Sequence, residues 1–293
     1  MMQVTPKDLL EKLKANFGYD SFRLAQQKII ENVVTKKETL VIMPTGGGKS
    51  LCFQLPALFF EGITIVISPL IALMKDQVDS LKANGIPATY YNSSQSPEEQ
   101  QEVFDAVVQK NIKLLYVAPE SLSLLHNILN QNYISCIAID EAHCISAWGH
   151  DFRPAYKQLS FLKKSLPDVP IVALTATADK ATQQDILEQL SIPNATKFVS
   201  SFNRENISLT VRPANDRVQQ IIKFINKIPN ESGIVYCLSR KATEQLASKL
   251  KQQNINAKAY HAGLAFDERA KTQEAFINDD VQIICAPIAF GMG

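Results

Sequence analysis

The stretch TLVIMPTGGGKSLCFQLPAL, residues 39–58, decides the fold. Residues 39–43 make a short apolar run that reads as a strand. Pro44, Thr45, Gly46, Gly47, Gly48, Lys49 and Ser50 follow, and then a helical pattern begins. Three consecutive glycines let backbone N–H groups crowd around phosphate oxygens. The helix starting near Lys49 turns its positive end toward them. In this arrangement Lys49 is expected to reach the β- and γ-phosphates, and Ser50 to ligate Mg²⁺. Met43 stands where the common pattern has Gly. The bland alternative is a Gly-rich turn with no ligand, and a strand before it with a helix after weighs against that.

Working outward, similar apolar runs recur: ITIVIS (63–68), IKLLYVA (112–118), ISCIAID (134–140) and IVALTA (171–176). A second series contains SLTV (208–211), GIVYC (233–237), AKAY (257–260) and VQIICA (281–286). Runs without strict alternation are the pattern of parallel strands buried on both faces. Helical stretches at Pro69–Ala83, Pro97–Gln109, Asp179–Leu190 and Arg240–Gln253 lie between them. Strand–helix alternation of this kind predicts a doubly wound α/β architecture. The expected division is a complete domain over residues 1–202 and a second, only begun, over 203–293.

The 293 residues, 46% hydrophobic and 20% charged, have globular proportions. No run approaches the roughly 18 apolar residues of a membrane helix, and the N-terminus lacks a signal-peptide pattern. A cytoplasmic protein with no membrane partner is expected. The net charge of +1 does not announce nucleic acid, so any such site must be a local patch. Cys52, Cys136, Cys144, Cys237 and Cys285 form no CxxC pair and read as reduced core residues, with no zinc site.

A second motif completes the chemistry. In CIAIDEAHCISAWGHDFRPAY, Asp140 and Glu141 emerge at the carboxyl end of an apolar strand, where open α/β sheets bind ligands. Asp140 is placed to hold Mg²⁺, and Glu141 to orient and deprotonate an attacking water. An isolated Asp-Glu pair is more often a solvated turn. Two carboxylates ending a buried strand, in one domain with a phosphate loop, point instead to hydrolysis of a nucleoside triphosphate.

His143 makes this run Asp-Glu-Ala-His, and here the chain resembles the superfamily 2 helicases with a DEAH-type box, specifically the RecQ DNA helicases. The resemblance rests on FGYDSFRLAQ (17–26), MPTGGGKS (43–50), SPLIALMKDQV (68–78), DEAHCISAWGHDFRPAY (140–156), LTATA (174–178), SSFNRENI (200–207), GIVYCLSR (233–240), AYHAGL (259–264) and AFGMG (289–293). Nine motifs in the family's order span nearly the whole chain. The resemblance implies two RecA-like P-loop domains, a catalytic set of Lys49, Asp140, Glu141 and His143, and ATP with Mg²⁺ as cofactors. It implies that Tyr19, Arg23 and Gln26 read the adenine, by stacking and by a donor–acceptor amide. It further implies an aromatic-rich loop that couples DNA binding to hydrolysis, with Trp148, His150, Phe152 and Arg153. Rings beside an Arg suit the bases of a single strand; the bland reading makes Trp148 and Phe152 core residues.

By the same resemblance, Thr175 and Thr177 link hydrolysis to domain movement. Ser68, Pro69, Lys75 and Ala118-Pro119-Glu120 match backbone-gripping motifs of the first domain, and Ser239 and Arg240 a phosphate contact of the second. His261 reads equally well as structural. The implied activity is 3′-to-5′ unwinding of DNA driven by ATP, in repair and recombination, with single-stranded and partly duplex DNA as partners. Leu24-Ala25 replaces the family's usual Pro-Gly, and Pro287 stands where Thr is common.

AFGMG resembles the start of the family's fifth motif. The arginine-bearing motif that follows it in RecQ proteins is not in the sequence, so a truncated polypeptide is expected, one that binds ATP and DNA but unwinds little. Arginine fingers are worth on the order of 10³–10⁵ in rate. Three rival readings remain: another superfamily 2 motor acting on RNA or duplex, an ATP-binding module that does not hydrolyse, and a small-molecule kinase. The kinase leaves the aromatic loop and the second domain unused.

Overall fold

The structure, a computed structural model, describes residues 4–93, 95–125, 133–146, 152–201 and 207–287. It divides into two units, Met1–Asn206 and Ile207–Gly293.

The first unit opens with helices α1 (Pro6–Phe17) and α2 (Gln26–Val34). A reciprocal capping box between Thr5 and Asp8 starts α1, with Pro6 in its first turn. Gly18, at φ 73°, ends it in the left-handed conformation that glycine adopts without strain. The chain then runs as a loop to Gln26.

Seven strands form one sheet: β1 (Thr39–Ile42), β2 (Ile63–Ile67), β3 (Ala88–Tyr91), β4 (Leu114–Val117), β5 (Ile134–Ile139), β6 (Ile171–Thr175) and β7 (Thr196–Val199). Their order is β3-β4-β2-β5-β6-β1-β7, and every pair is parallel. Helices α3 (Leu51–Ala57), α4 (Ile71–Ala83) and α5 (Pro97–Val108) make the early crossovers. Successive residues point to opposite faces. Leu40, Ile65, Leu115, Ile137 and Ala173 therefore enter one core, while Val41, Val66, Tyr116, Ala138 and Val172 enter the other. Both faces of the sheet are buried, which is why the sequence shows apolar runs and not alternation.

Strands β3 and β7 carry no such run. They are the sheet's two edges, built from ATYY and TKFV, and an edge strand needs less apolar surface than a central one.

Among the described residues the second unit has three parallel strands, β8 (Gly233–Tyr236), β9 (Ala257–Ala259) and β10 (Ile283–Ala286), in the order β8-β10-β9. The helices Arg217–Ile225 and Arg240–Gln252 contribute Ile222, Ile225, Leu246 and Leu250 to the core on one face. The expected strand SLTV is absent. Residues 207–214 are all exposed and irregular, with Val211 100% accessible. A four-residue apolar run that finds no ladder partner gains nothing from extending.

Candidate nucleotide site

Strands β5, β6 and β1 are consecutive in the sheet, and their carboxyl ends carry the candidate residues side by side. The phosphate loop follows β1, Asp140 and Glu141 follow β5, and Thr175 ends β6 between them. Neighbouring strands lie about 4.8 Å apart, so the loop and the acids face each other across roughly 10 Å.

The loop is shaped by its glycines. Gly46 and Gly48 sit at φ 78° and 76°, the left-handed region that a side chain resists. A Cβ on Gly48 would also strike Nε2 of Gln26. The Gly47 amide donates to Pro44 O at 3.0 Å, closing the turn that holds Thr45 and Gly46. Lys49 folds its ammonium toward Met43 O at 3.4 Å. Ser50 precedes α3 without a side-chain bond to the helix end. Helix α3 begins at Leu51, two residues later than the expected start, and spans seven residues.

The adenine-reading candidates lie on the loop between α1 and α2. Tyr19 is half exposed, and the Arg23 guanidinium stands 5.7 Å from its ring centroid. Gln26, the first residue of α2, is buried. Its Oε1 accepts from Arg23 N at 2.8 Å, and its Nε2 donates to Gly47 O at 3.3 Å and Gly48 O at 3.1 Å. The amide thus ties the loop between α1 and α2 to the glycine loop after β1. These residues border a cleft of about 350 Å³, which Gly48, Ser50, Gln54, Asp76, Gln77 and Ser80 also line. Two of its lining residues, Gln54 and Gln77, meet at the buried Tyr116 hydroxyl in a network that the sequence does not announce. Gln54 Nε2 donates to the Tyr116 hydroxyl at 2.9 Å, and that hydroxyl donates to Gln77 Oε1 at 2.8 Å.

Asp140 is 7% exposed, and its backbone amide donates to Ile67 O at 2.8 Å. Burial, reinforced by the Glu141 charge, pushes its carboxyl up to about 6. Glu141 sits at φ 47°, ψ 45°, a left-handed conformation for a non-glycine residue. Burial raises the Glu141 carboxyl, but the His143 hydrogen bond and the Lys49 and His143 charges outweigh that and hold it below its ordinary value. His143 Nδ1 is 3.2 Å from Glu141 Oε2 and 2.8 Å from Thr175 Oγ1. The Cys144 sulfur, 3.8 Å from Nε2, and Glu141 push the ring up to about 10. Thr175 Oγ1 in turn accepts from the Thr177 amide at 3.1 Å. One chain of contacts therefore runs from Glu141 through His143 to the end of β6.

Past the box, Arg153 N donates to Cys144 O at 3.0 Å, and its Nη1 donates to Pro69 O at 3.0 Å, at the entry to α4. Phe152 is 36% exposed, with the Lys157 ammonium 5.1 Å from its ring centroid. This is a surface position, not the core position of the bland reading. Trp148 and His150 lie outside the described residues, as does AFGMG (289–293). Ser239 and Arg240 belong to the second unit. Ser239 Oγ accepts from the Ala242 amide at 3.2 Å and so caps the helix that Arg240 begins. His261 is buried, its Nδ1 accepting from Gly263 N at 3.2 Å and its Nε2 lying 3.0 Å from Glu244. That bonding pattern is a structural one. All five cysteines are unpaired. Among the described residues, no group of three or more His, Cys, Asp or Glu is arranged to hold a metal, and no helix is long and apolar enough to cross a membrane.

A phosphate-loop motif and an Asp-Glu-Ala-His box thus stand at the carboxyl ends of β1 and β5, on either side of β6, the arrangement expected of a P-loop nucleoside-triphosphate site. The family model for DEAD/DEAH box helicases matches residues 23–186, and the chain belongs to that family. The chain is 50% identical over 286 residues to the ATP-dependent DNA helicase RecQ of Haemophilus influenzae, covering 97% of this chain and 46% of that protein. It is 51% identical over 287 residues to the RecQ of Pasteurella multocida, covering 97% and 45%. The chain thus spans about half the length of these curated relatives. Among solved structures it is similar to Saccharomyces cerevisiae Dbp5 bound to Gle1 and IP6, with a TM-score of 0.70 and 18% identity, covering 95% of this chain and 72% of that one. That likeness concerns the fold, a RecA-like parallel sheet.

Proposed function

We propose that this chain belongs to a RecQ-type ATP-dependent DNA helicase of the cytoplasm, one that couples Mg-ATP hydrolysis to 3′-to-5′ movement on single-stranded DNA in repair and recombination. The observation that carries the reading is the convergence of Lys49, Asp140, Glu141 and Thr175 on three adjacent strand ends, with His143 joining the last two. The identity to RecQ proteins supports DNA as the strand that is tracked.

In this reading the Gly46–Gly48 backbone and Lys49 hold the triphosphate. Tyr19 and Arg23 stack on the adenine, and Gln26 exchanges its bonds to Gly47 and Gly48 for the base edge. Ser50 and Asp140 fit a magnesium ion: a hydroxyl beside the phosphate loop and a buried carboxylate whose charge burial and Glu141 disfavour more than Lys49 and His143 relieve. Bound there, the ion would neutralise charge on the phosphates. Glu141 takes the proton of the attacking water at its carboxylate. His143, held between Glu141 and Thr175, orients that carboxylate. Phe152 and Arg153, with Trp148 and His150, contact the strand, and in the second unit Ser239 and Arg240 are phosphate-contacting residues.

The test is ATP hydrolysis by the chain with single-stranded DNA or single-stranded RNA of the same sequence. DNA is expected to stimulate hydrolysis severalfold more than RNA. Equal stimulation by the two, or stimulation by RNA alone, would replace this reading with that of a superfamily 2 RNA motor.

A further inference from the structure

Tyr156 is fully buried on the short helix Pro154–Lys157, at the far end of the segment that follows the Asp-Glu-Ala-His box. Its hydroxyl donates to the main-chain carbonyl of Asp140 at 2.9 Å. That carbonyl belongs to the peptide linking Asp140 to Glu141, and Glu141 holds the left-handed conformation at φ 47°. A non-glycine residue in this region persists only when its surroundings over-determine it. Three bonds do so here. The Asp140 amide donates to Ile67 O at 2.8 Å and fixes the strand side. The Glu141 amide donates to Asp140 Oδ1 at 3.0 Å. The Tyr156 hydroxyl fixes the carbonyl of the same peptide, in a place water does not reach.

From this geometry we infer that Tyr156 is a positioning residue for Glu141: its hydroxyl pins the strained Asp140–Glu141 peptide and so aims the carboxylate that takes the water's proton. The inference rests on the hydrolytic reading of the site. It assigns the hydroxyl no contact with nucleotide. The ring of Tyr156 packs in the core, among the residues around Ile139, Ala142 and Leu159, so Tyr156→Phe keeps the packing and removes only the pin. Without it the Asp140 carbonyl has lost its hydrogen bond, and the peptide is free to relax from the left-handed region. Small displacements of a reacting group are costly: about 1 Å can remove on the order of 10²-fold in rate.

The test compares the unaltered chain, Tyr156→Phe, Glu141→Gln and the double variant. Mg-ATP affinity is measured by titration, and hydrolysis by single turnover with protein in excess. Tyr156→Phe is expected to leave the affinity within about twofold and to slow hydrolysis roughly tenfold. In the Glu141→Gln background it is expected to change nothing further, because the group it aims is already gone. A purely structural tyrosine would instead lower affinity and rate together, in both backgrounds. Unchanged hydrolysis in Tyr156→Phe, or an equal loss in both backgrounds, overturns the inference and leaves the site's reading intact. An unaltered chain that binds Mg-ATP but hydrolyses no faster than Lys49→Ala overturns the hydrolytic reading, and this inference with it.

Discussion

Glu141→Gln is expected to slow ATP hydrolysis by on the order of 10²–10⁴-fold while leaving Mg-ATP binding within a few-fold of normal. The magnitude is that of losing a positioned general base. The selectivity follows from the geometry. Glu141 lies at the carboxyl end of β5, two strands from the loop that holds the phosphates, and its carboxylate is spoken for by His143 at 3.2 Å. Glutamine keeps the size and can still accept a hydrogen bond from His143, but it cannot take a proton from water. A single-turnover rate beside a binding titration checks the result. Loss of binding in parallel with loss of rate would place Glu141 among the phosphate-holding residues instead.

The second large effect has two opposite parts. Asp140→Asn is expected to abolish Mg²⁺-dependent tightening of ATP and, at the same time, to raise the melting temperature. Asp140 is a buried acid whose pKa rises from 3.8 to about 6, through burial and then through Glu141. An acid whose folded pKa lies above its unfolded one adds stability below the unfolded pKa and loses that contribution as the pH rises through the folded one. At pH 7 the ionised carboxylate therefore costs roughly 3 kcal/mol, at about 1.4 kcal/mol per unit. Asparagine carries no such charge and can still accept from the Glu141 amide, which Asp140 Oδ1 now does at 3.0 Å. Recovering part of that cost would raise Tm by about 3–6 °C at pH 7. The gain should shrink toward pH 4, where Asp140 of the unaltered protein is protonated when folded. A calorimetric or fluorescence melt at several pH values checks this. A lower Tm for Asp140→Asn at pH 7 would mean that the charge is compensated in the fold and is not held in reserve for a cation.

The central strands and the phosphate loop were legible from residue type alone. Runs such as ITIVI and ISCIAI have both faces buried, and three glycines between a strand and a helix leave few alternatives. The edge strands β3 and β7 were not, because TKFV reads as an exposed segment until β1 provides its ladder partner. SLTV shows the reverse: a run that reads as a strand has no ladder partner. Within the site, the residue types were readable and the bonds between them were not. Gln26 was legible as a base reader by resemblance, yet here its amide spans the two loops. Tyr116 hides in the strand LLYV, and only the fold brings Gln54 of α3 and Gln77 of α4 to its hydroxyl. Tyr156 was visible as an aromatic at the end of a motif, but its partner is a carbonyl sixteen residues earlier. Contacts of that kind depend on how a loop closes, which residue spacing does not encode.

Residues 43–50 and 140–141 are proposed to form one Mg-ATP site. The most direct test is a titration of the chain with a fluorescent ATP analogue, with and without Mg²⁺, displaced by ATP or GTP, beside Lys49→Ala. Saturable binding that requires Mg²⁺ for full affinity, yields to ATP more readily than to GTP, and falls at least tenfold in Lys49→Ala is the predicted result. Binding that is absent, or that is the same in Lys49→Ala as in the unaltered chain, would contradict it.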